Sequence, residues 1–251
     1  MQSQISGVLK KAFLFPLLLL GFCISAQTEF KPHVSGFMMT SLTYRHSPRW
    51  SAYIELQTRS IEDYSHLDYY EMKGGPAYNF NKNNQVLIGF GRYGTYKDNK
   101  FSQREYRLWL QYVLSQNAGK VKLDHRVRAE KRFFRYPQQN SVANDERFRY
   151  RLSATMPLSG DKITPGTFFV NAFEEVFFGP ANPGSDIFKR NRTFAGLGYQ
   201  ISPFMNTNFG YMWQKEFVTG GNKNYHFVYF GLNFTINRTQ EGHSGGIPVA
   251  D

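Results

Sequence analysis

Residues 121–134 read VKLDHRVRAEKRFF, and the order of charge in this stretch decides the fold. Lys122, Asp124, Arg126, Arg128, Glu130 and Arg132 occupy every second position, with Val121, Leu123, His125, Val127, Ala129, Lys131 and Phe133 between them. A strand sends such alternating sets to opposite faces, whereas a helix with its 3.6-residue repeat would mix them around its circumference. The pattern continues on both sides. Upstream, Tyr106, Leu108, Leu110, Tyr112 and Leu114 alternate with Glu105, Arg107, Trp109 and Gln111. Downstream, Phe148, Tyr150, Leu152, Ala154 and Met156 alternate with Arg147, Arg149, Arg151, Ser153 and Thr155.

The same reading predicts strands at 34–45, 50–60, 68–80, 85–97, 102–114, 121–134, 146–157, 166–178, 186–201, 205–217 and 223–236. Many are long. Soluble strands cluster near about 5–6 residues, while a tilted membrane crossing needs about 9–11. Tight connections at Ser47 to Arg49, Asn81 to Asn84, Ser115 to Lys120 and Ser202 to Phe204 interleave with longer polar ones at Ile61 to Leu67, Tyr136 to Asp145, Gly179 to Ser185 and Val218 to Asn222. The loop Ser159 to Pro165 departs from this, being longer than its short-side neighbours. The fold expected is therefore all-β: a transmembrane antiparallel up-and-down barrel of 10–12 strands with short periplasmic turns and longer extracellular loops. Eleven segments is an odd count where single-chain bacterial barrels have even ones. Strands from Trp50 to Ile236 make ten by themselves, so residues 27–48 are expected to enter the lumen, pack beneath the barrel or form an irregular first strand.

Residues 1–26 read as an export signal: Lys10 and Lys11 precede the apolar run Ala12 to Phe22, and small residues follow at Ser25 and Ala26. A spanning helix needs about 20 apolar residues, roughly twice this run. Cys23 is the only cysteine, and Phe22 before it departs from the small residue of a lipoprotein signal. Cleavage before Gln27 would leave a cysteine-free chain with no disulfide and no thiolate metal site. It would also lower the formal charge of +11 by the two signal lysines. For an exported basic protein the partners expected are outer-membrane lipid, the barrel-assembly machinery and a small anionic solute, not nucleic acid. Aromatic residues at 17%, with 24 Phe and 16 Tyr, suit the interfacial girdles of a barrel.

Near the C-terminus, Gly231, Phe234 and Ile236 resemble the assembly signal of outer-membrane barrels, a glycine three and five residues before two apolar side chains. Residues 238–251 then read as a flexible periplasmic tail. A wider resemblance runs through Trp50 to Arg59, Arg104-Glu105-Tyr106-Arg107-Leu108-Trp109, His125 to Arg132, Arg147-Phe148-Arg149-Tyr150-Arg151-Leu152, Glu174-Glu175, and Asn191-Arg192 leading into Gly196-Leu197-Gly198-Tyr199. In these the chain resembles a family of bacterial barrels catalogued as domain of unknown function 2490. The resemblance implies fold and location, and no activity.

Alternation sends Glu55, Glu71, Glu105, Arg107, Asp124, Arg126, Arg128, Glu130, Arg132, Arg149, Arg151, Glu175, Arg192 and Glu216 to the face assigned to the lumen. Two readings of this charged network compete. Interleaved arginines and carboxylates can fill a small barrel with bidentate hydrogen bonds. Alternatively, an excess of bases makes an anion-attracting passage. Glu174 and Lys131 break the pattern by falling among the lipid-facing residues, where a bulge or an interfacial position would be needed.

No catalytic constellation is legible. Among His33, His46, His66, His125, His226 and His243 no pair has metal-site spacing, so neither metal nor cofactor is expected. A barrel hydrolase acting on lipid or peptide could pair His125 with Ser153, but parity puts them on opposite faces. A soluble secreted β-sandwich is a further alternative. Gly89, Gly91 and Gly94 form a Gly-x-Gly-x-x-Gly match that lacks a following helix, and strand glycines more often mark bends or close packing. A TonB-type transporter would carry a large plug before the barrel, and wide porins use about 16–18 strands.

Overall fold

In the computed structural model, the residues described are 34–60, 67–97, 100–180, 187–218 and 221–238. The expected export signal at 1–26, residues 27–33 with His33, His66, His243 and the stretch beyond position 238 lie outside them. Eleven strands form one closed barrel: β1 (Val34–Arg45), β2 (Trp50–Arg59), β3 (Tyr69–Asn81), β4 (Asn84–Lys97), β5 (Lys100–Ala118), β6 (Val121–Tyr136), β7 (Ser141–Pro157), β8 (Phe168–Phe178), β9 (Phe188–Ser202), β10 (Met205–Glu216) and β11 (Lys223–Asn237). Each strand pairs antiparallel with the next in sequence, so the chain runs up and down around the ring.

Closure accounts for the odd count. Around a ring of alternating directions an odd number of strands forces one parallel neighbour pair, and β1 pairs parallel with β11 along its full length, from Val34↔His226 to Arg45↔Asn237. All eleven expected strands are present. Residues 34–45 do not enter the lumen or pack beneath the barrel; they are a regular strand of the wall. Side chains reinforce the seam, with Ser41 Oγ donating to Asn233 Oδ1 at 2.7 Å and the Tyr229 hydroxyl 3.4 Å from Met39 Sδ.

One end of the barrel carries the tight turns at 46–49, 82–83, 119–120 and 203–204 together with the longer 158–167 connection. In the 119–120 turn Gly119 has φ 63°, a left-handed conformation that a side chain would strain. Two expected loops shrink because pairing runs further than side-chain alternation shows. β5 and β6 stay in register as far as Ala118↔Val121. The stretch expected as a loop from Tyr136 to Asp145 is mostly strand: only the 3-10 turn Pro137–Gln139 and Asn140 separate β6 from β7, which pair from Tyr136↔Ser141 onwards. Backbone hydrogen bonds continue wherever they are unopposed, whatever the side-chain pattern.

The glycines of the Gly-x-Gly-x-x-Gly match close-pack the wall. A Cβ on Gly89 would meet the Trp109 ring at 2.1 Å, one on Gly91 the Tyr93 ring at 2.8 Å, and one on Gly94 the Tyr70 ring at 2.2 Å. Aromatic rings lie over strand glycines on both faces of the sheet, and no phosphate-binding turn forms. Gly231 is packed in the same way beneath Tyr229, while Phe234 and Ile236 stand on the outer face.

Candidate functional site: the charged interior

The barrel is inverted relative to a soluble domain. Outward side chains are large and apolar, as at Ile88 (62% exposed), Phe209 (60%) and Met38 (58%). Inward ones are charged and dry, as at Arg126 (1%), Arg151 (0%) and Glu175 (0%). Of the fourteen interior residues expected, twelve are buried inside, while Arg132 and Glu216 point inward near the long-connection end and keep partial exposure. A side chain lining a water-filled bore would stay wet. Those at mid-barrel do not, so among the described residues the interior is packed.

The ion pairs form a chain across strands. Asp145 contacts Arg132 at 3.0 Å, and Arg132 reaches Glu105 at 2.8 Å. Glu105 binds Arg107 at 2.8 Å, and Arg107 lies 3.7 Å from Glu130. Glu130 is the hub, because Arg147 (2.5 Å), Arg149 (2.8 Å) and Arg128 (3.6 Å) also converge on it. Arg149 then bridges to Glu175 at 2.8 Å, where Arg126 (2.6 Å) and Arg192 (3.8 Å) also meet the carboxylate. Arg151 is the register neighbour of both Arg126 and Glu175, and its guanidinium lies 4.7 Å from the Phe173 ring centroid. Glu216 joins through Gln214, which donates to it at 2.9 Å and accepts from Arg192 at 2.8 Å.

Three expected members stand apart from this chain. Glu55 and Glu71 share Lys73, at 2.8 and 2.7 Å, with Arg59 near Glu71 at 3.8 Å. Tyr53 donates to Glu55, and Tyr69 donates to Glu71 at 2.7 Å. Asp124 pairs with Lys122 at 2.9 Å near the tight-turn end. Lys73 and Arg147 are absent from the expected fourteen, although each shares the alternation face of members on its own strand. The neutral partners Gln111 and Gln214 carry no charge signal in the sequence. Gln111 accepts from Arg128 at 2.6 Å.

Charge does not fill the whole lumen. Phe37, Met39, Phe194, Met212, Phe227 and Tyr229 form an apolar cluster inside the seam quarter, on β1 and β9–β11. Below it, Asn206 accepts from Asn233 at 3.0 Å and from Asn208 at 3.2 Å, a ladder of neutral amides. At the long-connection end a cavity of about 190 Å³ opens, lined among others by Arg132, Asp145, Arg147, Phe177, Arg190 and Glu216.

The two residues that break the alternation are accommodated without a bulge at their own positions. Lys131 pairs with its register partner Glu146 at 2.8 Å, and Glu174 accepts from Thr193 at 2.5 Å and from Asn191, all on the outer face. Ser153 is buried inside, whereas His125 stands outside with Nδ1 2.8 Å from the Tyr150 hydroxyl, so the wall separates that pair. Among the described residues no three His, Cys, Asp or Glu side chains gather as metal ligands.

The family model described as "Protein of unknown function (DUF2490)" matches residues 35–225, and the chain belongs to that family. No curated protein and no solved structure matches it.

Proposed function

We propose that this member of the family is an integral outer-membrane barrel without catalytic chemistry, whose interior is an ion-pair core in place of an open passage. The observation that carries the reading is the inversion of the wall. A closed sheet removes every edge, which is the condition for strands to cross hydrocarbon. An outer face rich in Leu, Ile, Val, Phe and Met would aggregate in water and be solvated by lipid. The tight turns then face the periplasm and the longer connections the outside. Because eleven strands place Val34 and Asn237 at opposite ends of the barrel, the chain enters the wall from the outer side and leaves it on the periplasmic side.

Membrane fractionation tests this directly. The mature protein should stay in the outer-membrane pellet through salt and carbonate washes, be released by detergent, and migrate faster on a gel before boiling than after. Release by salt alone would overturn the membrane reading and leave a soluble barrel.

A second reading, binding of a small anionic solute, rests on the excess of buried bases. Lys73, Arg107, Arg126, Arg128, Arg147, Arg149, Arg151 and Arg192 outnumber Glu55, Glu71, Glu105, Asp124, Glu130 and Glu175. The mouth cavity, with Arg132, Arg147 and Arg190, is where such a solute would enter. On this reading small anions such as phosphate should raise the unfolding temperature of the detergent-solubilised barrel at constant ionic strength.

A further inference from the structure

Three neighbouring strands each carry an outward arginine just past an aromatic ring, Arg104 and Arg135 in register and Arg92 two residues off it. On β4 the outward series Ile88, Phe90 reaches Arg92; on β5 Leu108, Tyr106 reaches Arg104; on β6 Val127, Ala129, Lys131, Phe133 reaches Arg135. Each arginine takes the first outward position beyond an aromatic ring, on the side of the longer connections. The rings form one surface, since Tyr106 is in register with both Arg92 and Phe133 and stacks on Phe90 at 6.0 Å between centroids.

The arginines are close together. Arg104 and Arg135 are direct cross-strand partners, a placement in which like charges repel. Arg92 and Arg135 are exposed, and Arg104 is half-buried with its guanidinium 5.6 Å from the Phe101 ring centroid. Its Nε is buried without a hydrogen-bond partner. Among the described residues none of the three has a carboxylate within ion-pair distance, in contrast to Lys131 nearby, which has Glu146. Exposed Lys97 and Lys100 flank the same hairpin.

We infer that Arg92, Arg104 and Arg135 form a binding site for the phosphate-bearing headgroup of a lipid in the leaflet that surrounds the long-connection end. This rests on the membrane reading above. Tyr70 and Tyr96 stand further out on the same wall, 6.3 Å apart, so the arginines sit within the aromatic belt, which marks the depth where acyl chains give way to headgroups. A phosphate monoester carries up to two negative charges and accepts paired N–H donors from guanidinium forks. Bound between Arg104 and Arg135, it would turn their repulsion into a shared attraction. The anion is a lipid headgroup rather than a soluble one because the donors stand on the outer wall beside an apolar face that seats acyl chains.

The test uses the refolded mature barrel and its Arg104→Gln/Arg135→Gln variant. Both are first folded into neutral phosphatidylcholine vesicles, where heat-modifiable mobility reports insertion separately. If neither inserts, the membrane reading fails. The barrels are then taken into mild detergent containing bis-phosphorylated lipid A, and retained lipid is measured by mass spectrometry after gel filtration. Wild type should retain lipid A, and the double variant roughly tenfold less, as expected from loss of charge-assisted hydrogen bonds. Lys131→Gln, which removes a cation already paired, should retain lipid A as wild type does. Without lipid A the double variant should melt no lower than wild type, because it has lost a repulsive pair. Should that variant fail to fold, Arg92→Gln gives the same comparison on a strand outside the pair. Equal retention by wild type and variants would overturn the assignment. So would displacement of the lipid by millimolar inorganic phosphate, which would make the site one for a free anion.

Discussion

Glu130 receives three arginines and lies 3.7 Å from a fourth, with its side chain fully buried. Removing that carboxylate would leave Arg147 and Arg149 facing each other in a dry space, and breaking a buried pair costs about 3–5 kcal/mol because the abandoned charge stays buried. We expect Glu130→Ala to lower the unfolding temperature of the detergent-solubilised barrel markedly. An unchanged melting curve would mean that water fills the interior after all. The exposed pair Lys131–Glu146 is the internal comparison, since both partners keep about half their surface in contact with the surroundings. Such pairs contribute about 0–1 kcal/mol in water, so in detergent Lys131→Ala should shift the same transition little. Lys131–Glu146 and Arg149–Glu130 are both 2.8 Å contacts; burial and the number of partners separate the two cases. Alternation shows which side of the wall Glu130 takes, but not that four arginines converge on it, because that depends on which strands lie beside it and in what register.

At the scale of elements, the seam between β1 and β11 is where the sequence reading stops short. Strand–strand pairing elsewhere follows chain order, and short turns set it. The seam joins the two ends of the strand order, and nothing local in 34–45 names its partner. Met38 and Phe230 are register partners on the outer face of the seam. Cysteines at the two positions should therefore form a disulfide on mild oxidation of the folded barrel, within the usual reach of about 4.4–6.8 Å between Cα atoms. A barrel closed directly between β2 and β11 would leave that pair unlinked. The same seam makes β11 indispensable. Deleting residues 229–251 removes most of the strand that both β10 and β1 pair with, from Tyr229 to Asn237, and the compact, heat-modifiable form should disappear; deleting 240–251 spares all of β11 and should leave assembly intact.

For the whole molecule, the interior combines an arginine–carboxylate chain on β5–β9, a Lys73-centred pair of glutamates on β2 and β3, an apolar cluster at the seam and an asparagine ladder below it. Together these fill the bore from side to side. Planar-bilayer recording on the purified barrel should accordingly show no anion-selective steps, and Arg128→Ala should weaken the fold without altering conductance. Reproducible anion-selective channels that lose selectivity in Arg128→Ala would establish the opposite, a wet passage lined by these arginines.

The sequence by itself determined the strands, their faces and the inverted distribution of charge, because side-chain direction in a strand repeats every two residues and needs only local order to read. It placed Glu105, Arg107, Glu130, Arg149 and Glu175 inside together, and it placed Lys131 and Glu174 outside. The tertiary structure alone decided how those charges pair. Register and closure bring Gln111, Lys73 and Arg147 to their partners, join β1 to β11 in parallel and so admit an odd strand count. They also set Arg104 against Arg135 across neighbouring strands. These are contacts between residues distant in sequence or on adjacent strands, and their geometry follows from hydrogen-bond ladders closing a ring, which no periodicity within one segment encodes.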